Sequence, residues 1–424
     1  MGYEFSPATD MEALEKSIER LYGKQEFTAQ RSRYQSVLRG LEENFGHYER
    51  VAMFSAPGRT EIGGNHTDHQ HGKVLAGSVN LDVAAAVAPN GGNVIRVMGK
   101  GFPMDVVELD DLEVREEERN TSAALIRGVA AWFKSQGCEL EGFDAYNISS
   151  VFKGSGLSSS AAFEVLLGNI INSLFFGGKC GAVRIAQIGK YAENVYFGKP
   201  SGLLDQMASS VGGMVTIDFR DNDNPVAEKV DFDFASAGHA LCIIDSGADH
   251  ADLTDEYTAV TTELKKVCKH FGKNVLREVP EADFLAALPE LRREAGNRAV
   301  LRAIHIYDEN RRVENQVDAL RRGDFDAFLK YINSSGLSSW RYLQNVVPTG
   351  YTAHQEVALA LALAERLLDG RGACRVHGGG FAGTIQAFVP LDMLEKFRTE
   401  TERVLGDGAC HVLTVRPVGG VRLV

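Results

Sequence analysis

The stretch GSGLSSSAA, residues 154 to 162, constrains the fold more than any other part of this chain. FDAYNISSVFK ahead of it has strand character, and FEVLLGNIINSLFF behind it is a long apolar helix. Strand, glycine-serine turn and helix in immediate succession gather unpaired N–H groups and the positive end of a helix dipole at one point. Gly154 and Gly156 allow a tight turn and close approach to a ligand. Leu157 follows, and Ser158, Ser159 and Ser160 then add hydroxyl donors at the start of the helix. Phosphate is the natural guest of such a turn. The pattern is not a Walker loop, because no Gly-Lys-Ser/Thr follows. It is not a dinucleotide fingerprint either, because that would need glycine where Ser159 stands. A serine-capped helix after a flexible turn is the plainer alternative.

A phosphate site with magnesium needs carboxylates, and phosphorylation of a hydroxyl gains from an acid near the attacking oxygen. YAENVYFGKPSGLLDQ supplies Glu193 late in one helix and Asp205 at the start of the next, after a turn with Gly198, Pro200 and Gly202. Singly, each acid reads better as a surface carboxylate or a helix cap. Their joint occurrence with the serine loop and with Arg59, directly after Pro57-Gly58, points to phosphoryl chemistry. An arginine there would keep the acid ionised and help neutralise the transferring group.

The rest of the chain mixes strands and helices, which predicts an α+β or α/β class. Residues 10 to 22 and 29 to 45 read as amphipathic helices, and VAMFSAP as a strand ending in Pro57. VLAGSVNLDVAAAVAP and NVIRVMG read as strands, and the acidic stretch 108 to 118 as a solvated edge or loop. Residues 254 to 335 are mainly helical, RGACRVHGGGFAGTIQAFVP is strand, turn, strand, and CHVLTVRPVGGVRLV is a closing strand. A length of 424 residues suits two or three domains, with a boundary near residue 240. A net charge of -12 argues against non-specific nucleic-acid binding. There is no secretory segment and no apolar run that could span a bilayer. The six cysteines are scattered without a CxxC pair, so reduced thiols and a cytoplasmic location are expected.

PGRTEIGGNHTDHQHG, GSGLSSSAA, GKPSGLLDQ and HGGGFAGT occur in the order of the signature motifs of the GHMP small-molecule kinases. The first is similar to the galactose-recognition motif of galactokinases, and RAIHIYDENRRV, residues 302 to 313, resembles a galactokinase helix. The resemblance implies an α+β, two-domain GHMP kinase fold. Residues 1–240 would form a ribosomal protein S5 domain 2-like N-terminal domain with a helical prefix, and residues 241–424 a ferredoxin-like C-terminal domain. It implies ATP, Mg2+ and phosphoryl transfer to the anomeric hydroxyl of galactose, with no nucleic-acid or membrane partner. Carried over by position, Gly154, Gly156, Leu157, Ser158, Ser159 and Ser160 would cradle the phosphates. Ser160 and Glu193 would meet magnesium. Asp205 would accept or orient the proton of the sugar O1 hydroxyl, with Arg59 alongside. Asn65, His66, Asp68, Gly202 and Tyr257 would contact the sugar, and the Gly378 to Gly380 turn would line the site.

The chain departs from that pattern in places. Galactokinases usually carry an acid where Asn65 stands and a tyrosine where His69 stands. Gly336 stands where histidine is frequent, and His377 replaces a small polar residue. An asparagine at 65 would tolerate a 6-carboxylate that an acid would repel, so galacturonate is the main alternative substrate. Two other classes compete. Three of the eleven histidines, His66, His69 and His71, lie within six residues, which suggests a metal site. However, the first histidine of an HxHxDH pattern is missing, and so are its later partners. A non-catalytic sugar sensor is opposed by the intact Arg59, Glu193, Asp205 and serine loop.

Overall fold

The computed structural model describes residues 7–151, 156–248 and 253–424. Two sheets organise them. The larger contains β1 (Ala52–Gly63), β2 (Lys73–Pro89), β3 (Val94–Gly99), β4 (Met104–Glu108), β5 (Phe143–Ser149), β6 (Met214–Asp218), β7 (Val226–Lys229) and β12 (Val421–Arg422). Its order is β12-β1-β2-β5-β3-β4, with β6 also paired to β2, and β7 to β6. The smaller sheet holds β8 (His239–Ala248), β9 (Ala373–Val376), β10 (Gly383–Pro390) and β11 (Cys410–Leu413), in the order β11-β8-β10-β9. All its pairings are antiparallel. The helices Glu356–Leu368 and Leu394–Leu405 share one of its cores. This is the ferredoxin-like arrangement.

The long strand β2 explains the layering. Side chains alternate across a strand, so VAAAVA presents different residues to each face. Val83, Ala85 and Val87 join the main core, which also holds Leu166 and Ile170 of the helix Ser159–Leu174. Ala84, Ala86 and Ala88 face the other way and pack with Leu14, Ile18, Val37 and Leu41. Those four belong to the helix Pro7–Phe45, which breaks only at Gly23 (φ 76°, ψ 171°). The prefix thus covers one face of the large sheet. Small alanines let it approach closely, and a β-carbon at Gly40 would strike the Tyr146 ring. Asp82 anchors this packing. It is fully buried and accepts hydrogen bonds from Tyr22, Arg33, Ser55 and Arg416.

Two segments depart from the expectation from sequence. β1 does not end at Pro57. It passes through Pro57-Gly58 with a register shift before Arg59, because the bulge absorbs the missing proline donor. The closing segment is two strands, not one. β11 pairs with β8 in the small sheet and β12 pairs with β1 in the large one. Between them Arg416 is fully buried against Asp82 and Ser55, so the chain end ties the two sheets together. Among the described residues, no helix is long and apolar enough to cross a membrane.

Candidate active site

The bulge in β1 aims Arg59 at the start of the helix Ser159–Leu174. Arg59 is buried. Its Nε donates to Asp205 Oδ1 at 2.7 Å, and its Nη1 donates to the Gly156 carbonyl. Its backbone N–H donates to the Leu157 carbonyl at 3.0 Å. The Leu157 side chain itself is buried in the main core, so only its backbone is available to a phosphate. Ser158 has φ 56°, in the left-handed region that a serine rarely occupies. Its hydroxyl makes no helix cap and instead donates to Asp205 Oδ2 at 2.7 Å. Burial pushes the Asp205 pKa up. The Arg59 charge and the hydrogen bonds from Arg59 and Ser158 outweigh that and hold it below the usual aspartate range. Asp205 lies in the first turn of the helix Leu204–Val211, where the dipole also favours its charge. The result is an ionised carboxylate beside the loop. Gly154 lies outside the described residues.

Ser159 begins its helix next to Ser160, whose Oγ lies 3.4 Å from Glu193 Oε1. Glu193 sits on a π-helical turn, Ala192–Phe197, that extends the helix Ala182–Tyr191. Lys199 Nζ reaches the same Glu193 oxygen at 3.2 Å. The other oxygen, Oε2, accepts from Gln206 Nε2 at 2.8 Å. That nitrogen also donates to Glu164 Oε2 at 2.9 Å. Burial, then the neighbouring charge of Glu193, pushes the Glu164 carboxyl well above its ordinary range. Sequence alone does not single out Glu164, Lys199 or Gln206. The available signal was an acid one turn beyond Ser160 in an otherwise apolar helix. Among the described residues, no three His, Cys, Asp or Glu gather as a metal-holding group. One hydroxyl and one carboxylate suit a magnesium ion whose remaining ligands are phosphate oxygens and water.

Of the hydroxyl-binding candidates, His66 and Tyr257 meet the Gly378 to Gly380 turn, and Asp68 meets Gly202. His66 (φ 61°) bonds through Nε2 to the Gly379 carbonyl at 2.9 Å. Burial lowers its pKa to about 4, so at neutral pH the ring is uncharged and donates that hydrogen bond. Tyr257 donates to the Gly380 carbonyl at 2.7 Å. Asp68 lies against Gly202, where a β-carbon would stand 1.9 Å from Asp68 Oδ2, so only glycine allows this approach. The other two histidines diverge. His71 Nε2 pairs with Asn222 at 2.9 Å, and His69 is exposed and gives its backbone N–H to Asp68. The histidine density therefore does not converge on one ion.

Asn65 lies where sequence alone does not place it. It is fully buried. Its Nδ2 donates to Glu61 Oε1 at 3.0 Å and to the Gly378 carbonyl at 2.6 Å. Its Oδ1 accepts from Asn345 at 2.8 Å. Glu61 pairs in turn with Arg375 of β9, which also donates to the Ile62 carbonyl at 3.0 Å. The Asn65 amide is thus engaged by protein groups at both ends and links the end of β1 to the turn after β9. His377 does similar work. It bonds to Thr60 Oγ1 at 3.1 Å, the Glu61 N–H at 3.2 Å and Thr384 Oγ1 at 3.0 Å. A β-carbon at Gly156 would stand 2.9 Å from the His377 ring, so His377 also backs the phosphate turn.

Comparison with known proteins gives the family of the chain. A family model described as the galactokinase galactose-binding signature matches residues 41–89, and one for the GHMP kinases N-terminal domain matches residues 124–213. A galactokinase from Streptomyces coelicolor is 30% identical over 380 residues, spanning 88% of this chain and 94% of that protein. The chain belongs to the galactokinase family. A second galactokinase, from Glaesserella parasuis serovar 5, is 30% identical over 375 residues, covering 84% of this chain and 90% of its own. The fold is that of the galactokinase from Lactococcus lactis solved with galactose, with TM-score 0.79, 23% identity, 92% of this chain and 99% of that one. A D-glycero-D-manno-heptose 1-phosphate kinase aligns more loosely, with TM-score 0.59, 15% identity, 88% of this chain and 98% of that one. As a galactokinase-family member the chain is a sugar kinase that uses ATP.

Proposed function

We propose that the protein transfers the γ-phosphoryl group of ATP to the anomeric (C1) hydroxyl of galactose, giving galactose 1-phosphate and ADP. The observation that carries this reading is Asp205, held ionised by Arg59 and Ser158 beside the phosphate turn. The O1 hydroxyl donates to Asp205, which orients the oxygen for in-line attack and takes the proton as the bond to phosphorus forms. Arg59 holds that carboxylate and neutralises charge on the transferring group. The turn with Gly156, Leu157, Ser158, Ser159 and Ser160 supplies backbone N–H groups to the phosphates. Ser160 and Glu193 would hold Mg2+, which supplies charge neutralisation between the phosphates.

His66, Asp68, Gly202 and Tyr257 orient the sugar hydroxyls, with Asn65 shaping the pocket from behind. Galactose is favoured over galacturonate because the galactose-binding signature of galactokinases matches residues 41–89, the stretch that contains Asn65. A division near residue 240 is supported by β8, which opens the small sheet at His239, with β12 returning to the large sheet. A cytoplasmic location rests on six free thiols.

The test is ADP release in Mg2+ with galactose, galacturonate, arabinose, N-acetylgalactosamine and glucose. Galactose is expected to give the highest kcat/KM. Sugar binding without ADP release would sink the kinase reading, and preference for galacturonate would sink the sugar assignment.

A further inference from the structure

Gln206 and Glu164 have no role in the reaction as described so far. Both are fully buried. They meet where three segments converge: the helix Ser159–Leu174, the helix Ala182–Tyr191 and the helix Leu204–Val211. Gly189 leaves room for them, since a β-carbon there would lie 3.1 Å from both Gln206 Cγ and Glu164 Oε2. Gln206 Nε2 donates to Glu193 Oε2 at 2.8 Å and to Glu164 Oε2 at 2.9 Å. With Oε2 occupied, Glu193 turns Oε1 toward Ser160 and Lys199.

The remaining atoms, Glu164 Oε1 and Gln206 Oε1, are buried without a hydrogen-bond partner. Unsatisfied buried polar atoms are destabilising, and an apolar pair of similar shape would pack with less penalty. Packing alone therefore does not account for a glutamate and a glutamine here. Orientation does. If the Gln206 amide turned over, its carbonyl oxygen would face the Glu193 oxygen at the same distance. Glu164 opposes that turn by accepting from the same nitrogen.

We propose that Gln206 and Glu164 are positioning residues for Glu193. Gln206 pins one carboxylate oxygen so that the other faces the metal–nucleotide complex, and Glu164 keeps the Gln206 amide nitrogen pointed at Glu193. The inference rests on the reading that Ser160 and Glu193 hold the metal.

The test is the affinity of Mn2+ for the full chain with ADP, followed by water-proton relaxation, with galactose affinity measured by calorimetry. Gln206→Met and Glu164→Met are expected to weaken Mn2+ by roughly 10- to 100-fold, as supporting residues behind metal ligands do. Galactose affinity should stay at the wild-type value. Glu164→Gln should retain Mn2+ affinity, because its amide oxygen still accepts from Gln206. Equal Mn2+ affinity in wild type and Gln206→Met overturns the proposal. If Gln206→Met does not fold, Glu164→Met against Glu164→Gln decides: equal affinities overturn it. No Mn2+ binding in the wild type with ADP overturns the metal reading itself, and this proposal with it.

Discussion

Arg59 and Glu61 lie two residues apart on β1, and each joins an ion pair with a distant partner, yet the pairs do opposite work. Asp205, the partner of Arg59, keeps 33% of its side chain exposed. Arg375, the partner of Glu61, is fully buried, and Glu61 is nearly so. The first pair stays partly open to solvent. The second is closed and locks the large sheet to the small one. Access to solvent separates the two pairs.

The sharpest way to break this contrast is Asp205→Asn. An amide cannot take the proton, though its oxygen can still accept from Arg59 and its N–H can donate to the Ser158 hydroxyl. The kcat for ADP release is expected to fall by about 10²- to 10⁴-fold, with galactose affinity and melting temperature retained. Turnover near wild type would remove Asp205 from the chemistry.

The closed pair should show the reverse pattern. Arg375→Met leaves Glu61 buried without its countercharge and is expected to lower unfolding free energy by about 3–5 kcal/mol in urea titration. Asn65→Glu brings a second carboxylate within hydrogen-bond distance of Glu61 and should destabilise the fold in the same way. Adding Glu61→Gln to Asn65→Glu should restore most of the loss. A stable Asn65→Glu single variant would show that residue 65 is not enclosed as described.

A pH scan separates the regions more gently. Burial holds His305 and His66 at about 4, below the unfolded value near 6.5. Between pH 6.5 and 4 the unfolded chain binds more protons, so stability falls as pH falls through that window. His305 bonds to Ser338 and to the Asn65 carbonyl, inside the closed region. His305→Gln should flatten the slope of melting temperature against pH. An unchanged slope would mean that His305 does not titrate there. The smallest effect is expected at the exposed prefix pair Lys16–Glu12, where Lys16→Ala should leave the melting temperature unchanged.

Much of the site was legible in sequence because its signals are local. The turn before Ser159, the acid at the start of the helix Leu204–Val211 and the Gly378 to Gly380 turn are short patterns whose chemistry depends on neighbours in the chain. The errors arose where long-range packing decides. Pro57 reads as a strand end because it lacks a donor, but a bulge carries β1 past it. CHVLTVRPVGGVRLV reads as one strand because its apolar residues run on, but its halves pair in different sheets. Glu164 carries only the weak signal of an acid one turn beyond Ser160, and its partner Gln206 lies 42 residues away, so their pairing is set by tertiary structure.

Sequence by itself determined the strand–turn–helix at the phosphate loop, the mixed α+β class and the resemblance to galactokinases, because each rests on contiguous residues or on motif order. Only the tertiary structure decided which charges pair and which side chains stay open. Arg59 meets Asp205 across 146 residues, and Asn65 meets Asn345 across 280. The histidine-rich stretch shows the same limit. Its composition suggested a ligand site throughout, yet folding left His66 and Asp68 half-buried and drew Asn65 fully inward. Hydrogen-bonding capacity belongs to the residue, but the partner that satisfies it is set by burial and by the route of the chain.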